Sequence, residues 1–154
     1  MSDAKNEVVA EFTKEIIRVN LAFRQYIQAK LRAQNMDLTF EMLQVLSCLW
    51  ANDGINQQEI ANITVKDKAS MTYLIDNLSK RKLVYRQEDS NDRRNKIIYL
   101  TVSGKDLQVR VKPWLHEMHA FAGCDMPKEM IADCMKVLEK FRENLKQEIE
   151  NPNK

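Results

Sequence analysis

The chain has 154 residues, with 24 Lys or Arg against 22 Asp or Glu and a formal charge of +2; this length suits one domain, or one domain with helical arms. Only three Gly and three Pro occur, too few turn-formers for a sandwich or barrel, so a mainly α fold is expected. No apolar run reaches the roughly 18–20 residues that cross a bilayer, the opening MSDAKNEVVAEF lacks a basic start and an apolar signal core, and three cysteines suit a reducing cytoplasm better than a disulfide framework.

From about Lys5 to Ala33 apolar side chains recur at spacings of three and four (Val8, Phe12, Ile16, Val19, Phe23, Ile27, Leu31), without internal Gly or Pro. That period predicts a long amphipathic helix. The polar stretch Gln34 to Asp37 breaks it. Thr39 offers an N-cap to a densely apolar helix running to Trp50, and Asn52-Asp53-Gly54 ends that helix. Asn56-Gln57-Gln58-Glu59 reads as a capping box for a short helix to about Ile63. Asp67 starts another, with Ala69, Leu74, Ile75 and Leu78 on one side, running to about Lys82. Two short helices joined by a brief polar connector match a helix-turn-helix.

The period then changes. Leu83 to Arg86 and Lys96 to Leu100 are strand candidates around a polar hairpin, Gln87 to Asn95. A hairpin in this place is a wing. Thr101 caps the next helix, where Pro113 predicts a kink or a break into two. Gly123-Cys124-Asp125 turns the chain, and Pro127 is expected in the first turn of a last helix striped by Met130, Ile131, Cys134, Val137, Leu138, Phe141, Leu145 and Ile149. The long amphipathic ends must bury their stripes, and pairing with a second copy is the simplest solution.

Charge is unevenly spread. Residues 64–105 hold ten bases against five acids, a local +5, leaving fourteen bases against seventeen acids elsewhere. A basic middle on an otherwise mildly acidic chain points to a polyanion.

The run QQEIANITVKDKASMTYLIDNLSKRKLVYRQEDSNDRRNKIIYLT resembles the MarR family of winged helix-turn-helix regulators. In it DKASMTYLIDNLSKRKLV resembles the recognition helix and SNDRRNKIIYLT the wing, with an Asp-x-Arg signature at Asp92 and Arg94. The upstream LTFEMLQVLSCLW resembles the helix before them. The resemblance implies a homodimeric transcriptional regulator, triangular in outline. It divides the chain into an N-terminal dimerisation helix (1–38), a winged helix-turn-helix (39–102), C-terminal dimerisation helices (103–150) and a disordered tail (151–154). Double-stranded DNA, as a pseudo-palindromic operator, is the expected partner; repression released by a small amphipathic or aromatic effector is the expected output.

Side chains near the start of a recognition helix face base edges in the major groove. Here they are Lys68, Ala69, Ser70, Thr72 and Tyr73, the last departing from the basic residue many relatives carry there. Lys68 reaches guanine or phosphate, Ser70 and Thr72 bases or phosphates, and Ala69 a thymine methyl. Arg94 is expected in the minor groove, held by Asp92, with Arg93 and Lys96 on phosphates. Gln57 and Gln58, opening the preceding helix, are further phosphate contacts.

Other groups compete for attention. His116 and His119, three apart on a helix, have metal-ligand spacing, but no dense cluster accompanies them and neither a metal nor another cofactor is expected. Cys48 sits among apolar neighbours and Cys134 on an apolar stripe, so both are expected to be buried; Cys124 is expected to be exposed, with Asp125 opposing a reactive thiolate. Peroxide-sensing relatives place their cysteine in the first helix, where this chain has none. Trp114 and Met118 are candidates for an effector pocket, because Met adapts to irregular ligands. A protein-binding winged helix and a cysteine-based redox regulator are the alternatives. No phosphate loop, nucleophile elbow or paired catalytic carboxylates argue for an enzyme.

Overall fold

A computed structural model describes residues 2–152. It contains α1 (Ser2–Ala33), α2 (Phe40–Ala51), β1 (Ile55–Asn56), α3 (Gln57–Ile63), α4 (Lys68–Lys80), β2 (Val84–Glu88), β3 (Lys96–Leu100), α5 (Val102–Ala122) and α6 (Lys128–Glu150). The fold is mainly helical, with long helices at both ends of a winged helix-turn-helix. Two compact units divide at His116 and Glu117. Of the expected tail, the last two residues lie outside those described.

Side chains at the helix starts do the capping that the sequence promises. Thr39 accepts from the Met42 N–H, Asn56 from Gln58 and Asp67 from Ser70; Thr101 Oγ1 accepts from Gly104 N at 3.0 Å. Each satisfies an amide that the helix itself leaves unpaired. Three helix ends share one device. Met36 N reaches back to Leu31 O, Lys66 N to Ala61 O and Leu83 N to Leu78 O. The residue before each donor, Asn35, Val65 and Lys82, has φ between 51° and 57°. This is the Schellman arrangement, made here without glycine.

Helix α2 is the centre of the first unit. Val45, Leu46 and Leu49 are fully buried with Ile60 of α3, Met71, Ile75 and Leu78 of α4, Ile98 of β3 and Val111 of α5. Helix α1 joins this core through Ile27 and Leu31, and Arg24 ion-pairs with Glu41 while stacking over Phe40 at 5.1 Å. Burial works against the Glu41 charge, but its own backbone N–H, the Arg24 bond and charge, and Lys66 outweigh it and hold the carboxyl below its usual range.

The wing is a three-stranded antiparallel sheet in the order β1-β3-β2. Arg86 and Ile55 face Ile98 from opposite sides, and Glu88 faces Lys96. Two residues are too short a run to signal a strand, and β1 was not expected. Asp53 explains it: Oδ1 accepts from Leu100 N at 2.8 Å and Gly54 N at 3.1 Å, tying the turn after α2 to β3. Gly54, with φ of 76°, also holds its α-carbon against the Tyr99 ring, where a Cβ would come within 2.4 Å.

Other corrections concern the C-terminal helices. No break occurs at Pro113; α5 runs through it as one helix. The carbonyl deprived of its donor is that of Val109, which is 75% exposed, so water can replace the lost bond. Pro127 is the N-cap of α6 and not part of its first turn. Cys134 is exposed, not buried, because α6 buries no residue and its apolar stripe lies open within this single chain.

Candidate nucleic-acid interface

The cap at Asp67 fixes where α4 begins, and therefore which side chains project from its first turns. Lys68, Ala69, Ser70, Thr72 and Tyr73 are all exposed, whereas Met71, Leu74, Ile75 and Leu78 face the core. That division follows from helical spacing. The Asp67 carboxylate takes the Ser70 amide at 2.8 Å and its hydroxyl at 2.7 Å. These two bonds, the amide first, hold Asp67 below the usual carboxylate range.

At the wing, Asp92 Oδ1 accepts from the Arg94 amide at 3.0 Å and from its Nε at 3.3 Å. The guanidinium stays 92% exposed, so it is oriented by Asp92 yet open to a ligand. Arg93 is exposed too. Lys96 pairs with Glu88 across the strands at 2.8 Å.

These groups converge. A polar cleft of about 290 Å³ is lined by Gln57, Gln58, Lys68, Arg94 and Lys96, with Asn56 and Asn95. It brings residues from α3, α4 and the wing to one face, although they span forty positions of sequence. Ala69, Ser70 and Tyr73 lie on a second cleft with Glu41, Val65 and Lys66. Gln58 Nε2 bonds Asn62 at 3.0 Å. Gln57 is drawn inward: its Nε2 donates to Thr72 Oγ1 and its Oε1 accepts from Arg86 Nε, both at 3.1 Å. Arg86 was not singled out from sequence. Its partners are ten to twenty-nine positions away, and no local pattern marks it.

An apolar cavity of about 300 Å³ lies behind the interface, among α1, α2 and α5. Phe23, Ile27, Phe40, Leu43, Val111 and Leu115 line it, as does Gln44, whose buried Oε1 has no hydrogen-bond partner among the described residues. Trp114, half-buried, and Met118, buried, do not line it. Cys48 borders the cavity, half-buried, and burial pushes its thiol pKa up. Cys124 is exposed as expected. His116 and His119 are exposed, and no group of three metal-ligating side chains occurs among the described residues. Nor is any helix among them long and apolar enough to cross a membrane.

A capped recognition helix, a short helix before it and a wing that presents Arg93 and Arg94 define a winged helix-turn-helix DNA-binding protein. Residues 38–96 match the model of the MarR family. The chain resembles MepR of S. aureus in its DNA-binding conformation, at 27% identity and a TM-score of 0.77, over 87% of this chain and 98% of MepR. MepR has also been solved as a DNA complex, matched at 27% identity with a TM-score of 0.78 over 86% and 97% of the two chains. A MarR protein from Peptoclostridium difficile matches at 21% identity and a TM-score of 0.81, over 92% of each chain. Reduced AbfR bound to DNA matches at 22% and 0.74, over 97% and 99%. Compared with curated protein sequences, the chain finds no significant match. Residues 38–96 thus match the MarR family model, and the chain as a whole shares the fold of solved MarR-type DNA-binding regulators.

Proposed function

We propose that the protein is a homodimeric cytoplasmic repressor of a pseudo-palindromic operator, released by a small amphipathic or aromatic effector. The observation that carries the DNA-reading part is the convergence of Lys68, Arg94 and Lys96 with Gln57 and Gln58 on one cleft. Helix α4 enters the major groove, with Lys68, Ala69, Ser70, Thr72 and Tyr73 toward the bases. Arg94 enters the flanking minor groove, where narrow A·T-rich stretches concentrate negative potential, while Arg93 and Lys96 sit on phosphates. Two-fold symmetry sets half-sites about one helical turn apart.

Uncovered apolar side chains on the two terminal helices support the dimer. Val8, Val9, Ile17, Val19 and Leu21 of α1 and Met130, Val137, Leu138, Leu145 and Ile149 of α6 are exposed in the single chain. Such surface is characteristic of an association site. The apolar cavity beside α1, α2 and α5 suits an effector of mixed character, since Gln44 adds one unpaired acceptor to apolar walls. An effector works by binding more tightly to the dimer state whose recognition helices are wrongly spaced for the operator. Redox control through Cys48 fits less well, because a thiol whose pKa is raised is mostly protonated.

The test is a titration of duplex DNA from the protein's own upstream region, against random duplex, at several salt concentrations. Sequence-dependent binding with a steep salt slope is expected. Arg94→Ala should weaken it and reduce the slope by about 0.9 per wing, roughly 1.8 per dimer. An unchanged affinity and slope would remove the wing from the interface.

A further inference from the structure

We propose that Arg86 is a positioning residue, which locks the recognition helix to both the preceding helix and the wing, so that the three meet DNA as one rigid reader. The proposal rests on the reading of α4 as the DNA-contacting helix.

The guanidinium of Arg86, rooted in β2 and half-buried, is engaged on all three nitrogens. Nη1 pairs with the Asp76 carboxylate of α4. Nη2 donates to the Thr72 carbonyl at 3.4 Å, and Nε donates to Gln57 Oε1 of α3 at 3.1 Å. Gln57 Nε2 closes the loop on Thr72 Oγ1 at 3.1 Å. Thr72 and Asp76 are one turn apart and share a face of α4. The core holds α4 by a different face, through Met71, Leu74, Ile75 and Leu78. Apolar packing is non-directional: it sets which face of α4 is buried and how deeply, but supplies no directed bond to fix the fine orientation of the exposed face. A planar guanidinium with directional donors supplies such bonds. Because Arg86 pairs in register with Ile98 of β3, the same side chain ties the wing to the helix.

A role in positioning makes predictions that a phosphate contact does not. Phosphate binding needs only charge, which Arg86→Lys keeps. The bracket needs three directed bonds, which lysine cannot make. Asp76 sharpens the contrast, since Asp76→Asn removes a negative charge from a DNA-facing surface and by charge alone would tighten binding.

The experiment uses full-length protein and a duplex enriched by it from a random-sequence library, with a scrambled duplex of equal length as control. Fluorescence anisotropy of wild type, Arg86→Lys, Asp76→Asn and the double variant is measured across salt. The expected result is at least a tenfold loss of affinity for the enriched duplex in each single variant. Binding to the scrambled duplex should stay within about threefold, with an unchanged salt slope. The double variant should be no weaker than the worse single one, because both break the same bracket. Full activity of Arg86→Lys would overturn the proposal, as would equal losses on both duplexes or tighter enriched-duplex binding by Asp76→Asn. Multiplying losses in the double variant would assign the two residues separate contacts and overturn it too. If wild type enriches no sequence, the DNA-reading role itself fails and the bracket falls with it; normal enrichment with indifferent variants refutes the bracket alone.

Discussion

Gly104 offers the sharpest stability test, because the space around it is measurable. A Cβ built there would lie 2.1 Å from the Leu83 carbonyl oxygen and 3.1 Å from Leu100 Cδ2. The first distance is almost an ångström inside the closest approach that real Cβ atoms make. The obstacle is backbone, and it is pinned: Leu83 O accepts from Thr101 N at 3.0 Å and Thr101 Oγ1 at 3.1 Å, while Leu83 N donates to Leu78 O at 3.0 Å. Gly104 cannot easily retreat, since its carbonyl accepts from Trp50 Nε1 at 2.9 Å and its amide bonds Thr101. Gly104→Ala must therefore break or stretch about two hydrogen bonds, at about 1 kcal/mol each, and retain about 1 kcal/mol of overpacking. The expected loss is about 3 kcal/mol. For a chain of this size that is roughly 6–12 °C in Tm. Urea unfolding followed by tryptophan fluorescence, at one fixed protein concentration, measures it, with Trp50 reporting from the site itself. A loss below about 1 kcal/mol with an unchanged denaturant slope would show that the Leu83 carbonyl yields freely, and refute the reasoning.

Val65→Gly should raise stability by about 1 kcal/mol, because a β-branched residue at φ of 53° is strained by about 1–2 kcal/mol, partly offset by glycine's wider freedom when unfolded; a lower urea midpoint would contradict this. Glu41→Gln should cost about 1 kcal/mol or less near neutral pH, the pair with Arg24 being partly solvated. Since the folded state holds this carboxyl below its usual range, the stabilisation is complete above the unfolded pKa and fades as pH falls through the lower folded value. Urea midpoints of both proteins from pH 7 down to 3 should therefore converge, and a constant gap would exclude the ionised carboxylate as its source. Cys48 should react with a thiol reagent at least tenfold more slowly than exposed Cys124 in native protein, because burial both shields it and raises its pKa; mass spectrometry of partly labelled protein reads the order directly.

Local signals in this chain were legible and long-range ones were not. Thr39, Asn56, Asp67 and Thr101 each announce a helix start because the capping bond spans only two or three residues. Helical spacing located the core face of α4 through Leu74, Ile75 and Leu78, but placed Ala69 on it, which is exposed, and missed Met71, which is buried; the change of period located the wing. Arg86 was invisible because its meaning depends on Gln57 and Asp76 arriving beside it, which only the fold decides. The helix ends at Val65 and Lys82 were obscure for another reason. Neither residue type prefers a positive φ, so the Schellman bonds from Lys66 N to Ala61 O and from Leu83 N to Leu78 O are made without a residue that announces them. The stripe of α6 was read correctly as apolar, but pattern cannot say what covers it, and Cys134 was consequently placed inside when the single chain leaves it outside.

The wing also bears on how much ordering remains for DNA to impose. Strand β3 is central, flanked by β1 and β2, so the root of the wing is held from both edges. Beyond it, Asp89 N bonds Asn95 O at 3.1 Å, Asn95 N bonds Asp92 O at 2.9 Å, and the Asp89 and Asp92 carboxylates take the Asn91 and Arg94 amides. Fixing a free backbone costs roughly 1–2 kcal/mol per residue in conformational entropy. Much of that cost is already met during folding in a tip laced by its own bonds. On the proposed docking, what remains to be immobilised is mainly the Arg94 side chain, at about 2 kcal/mol or less, so most of any attraction gained there would be retained as affinity.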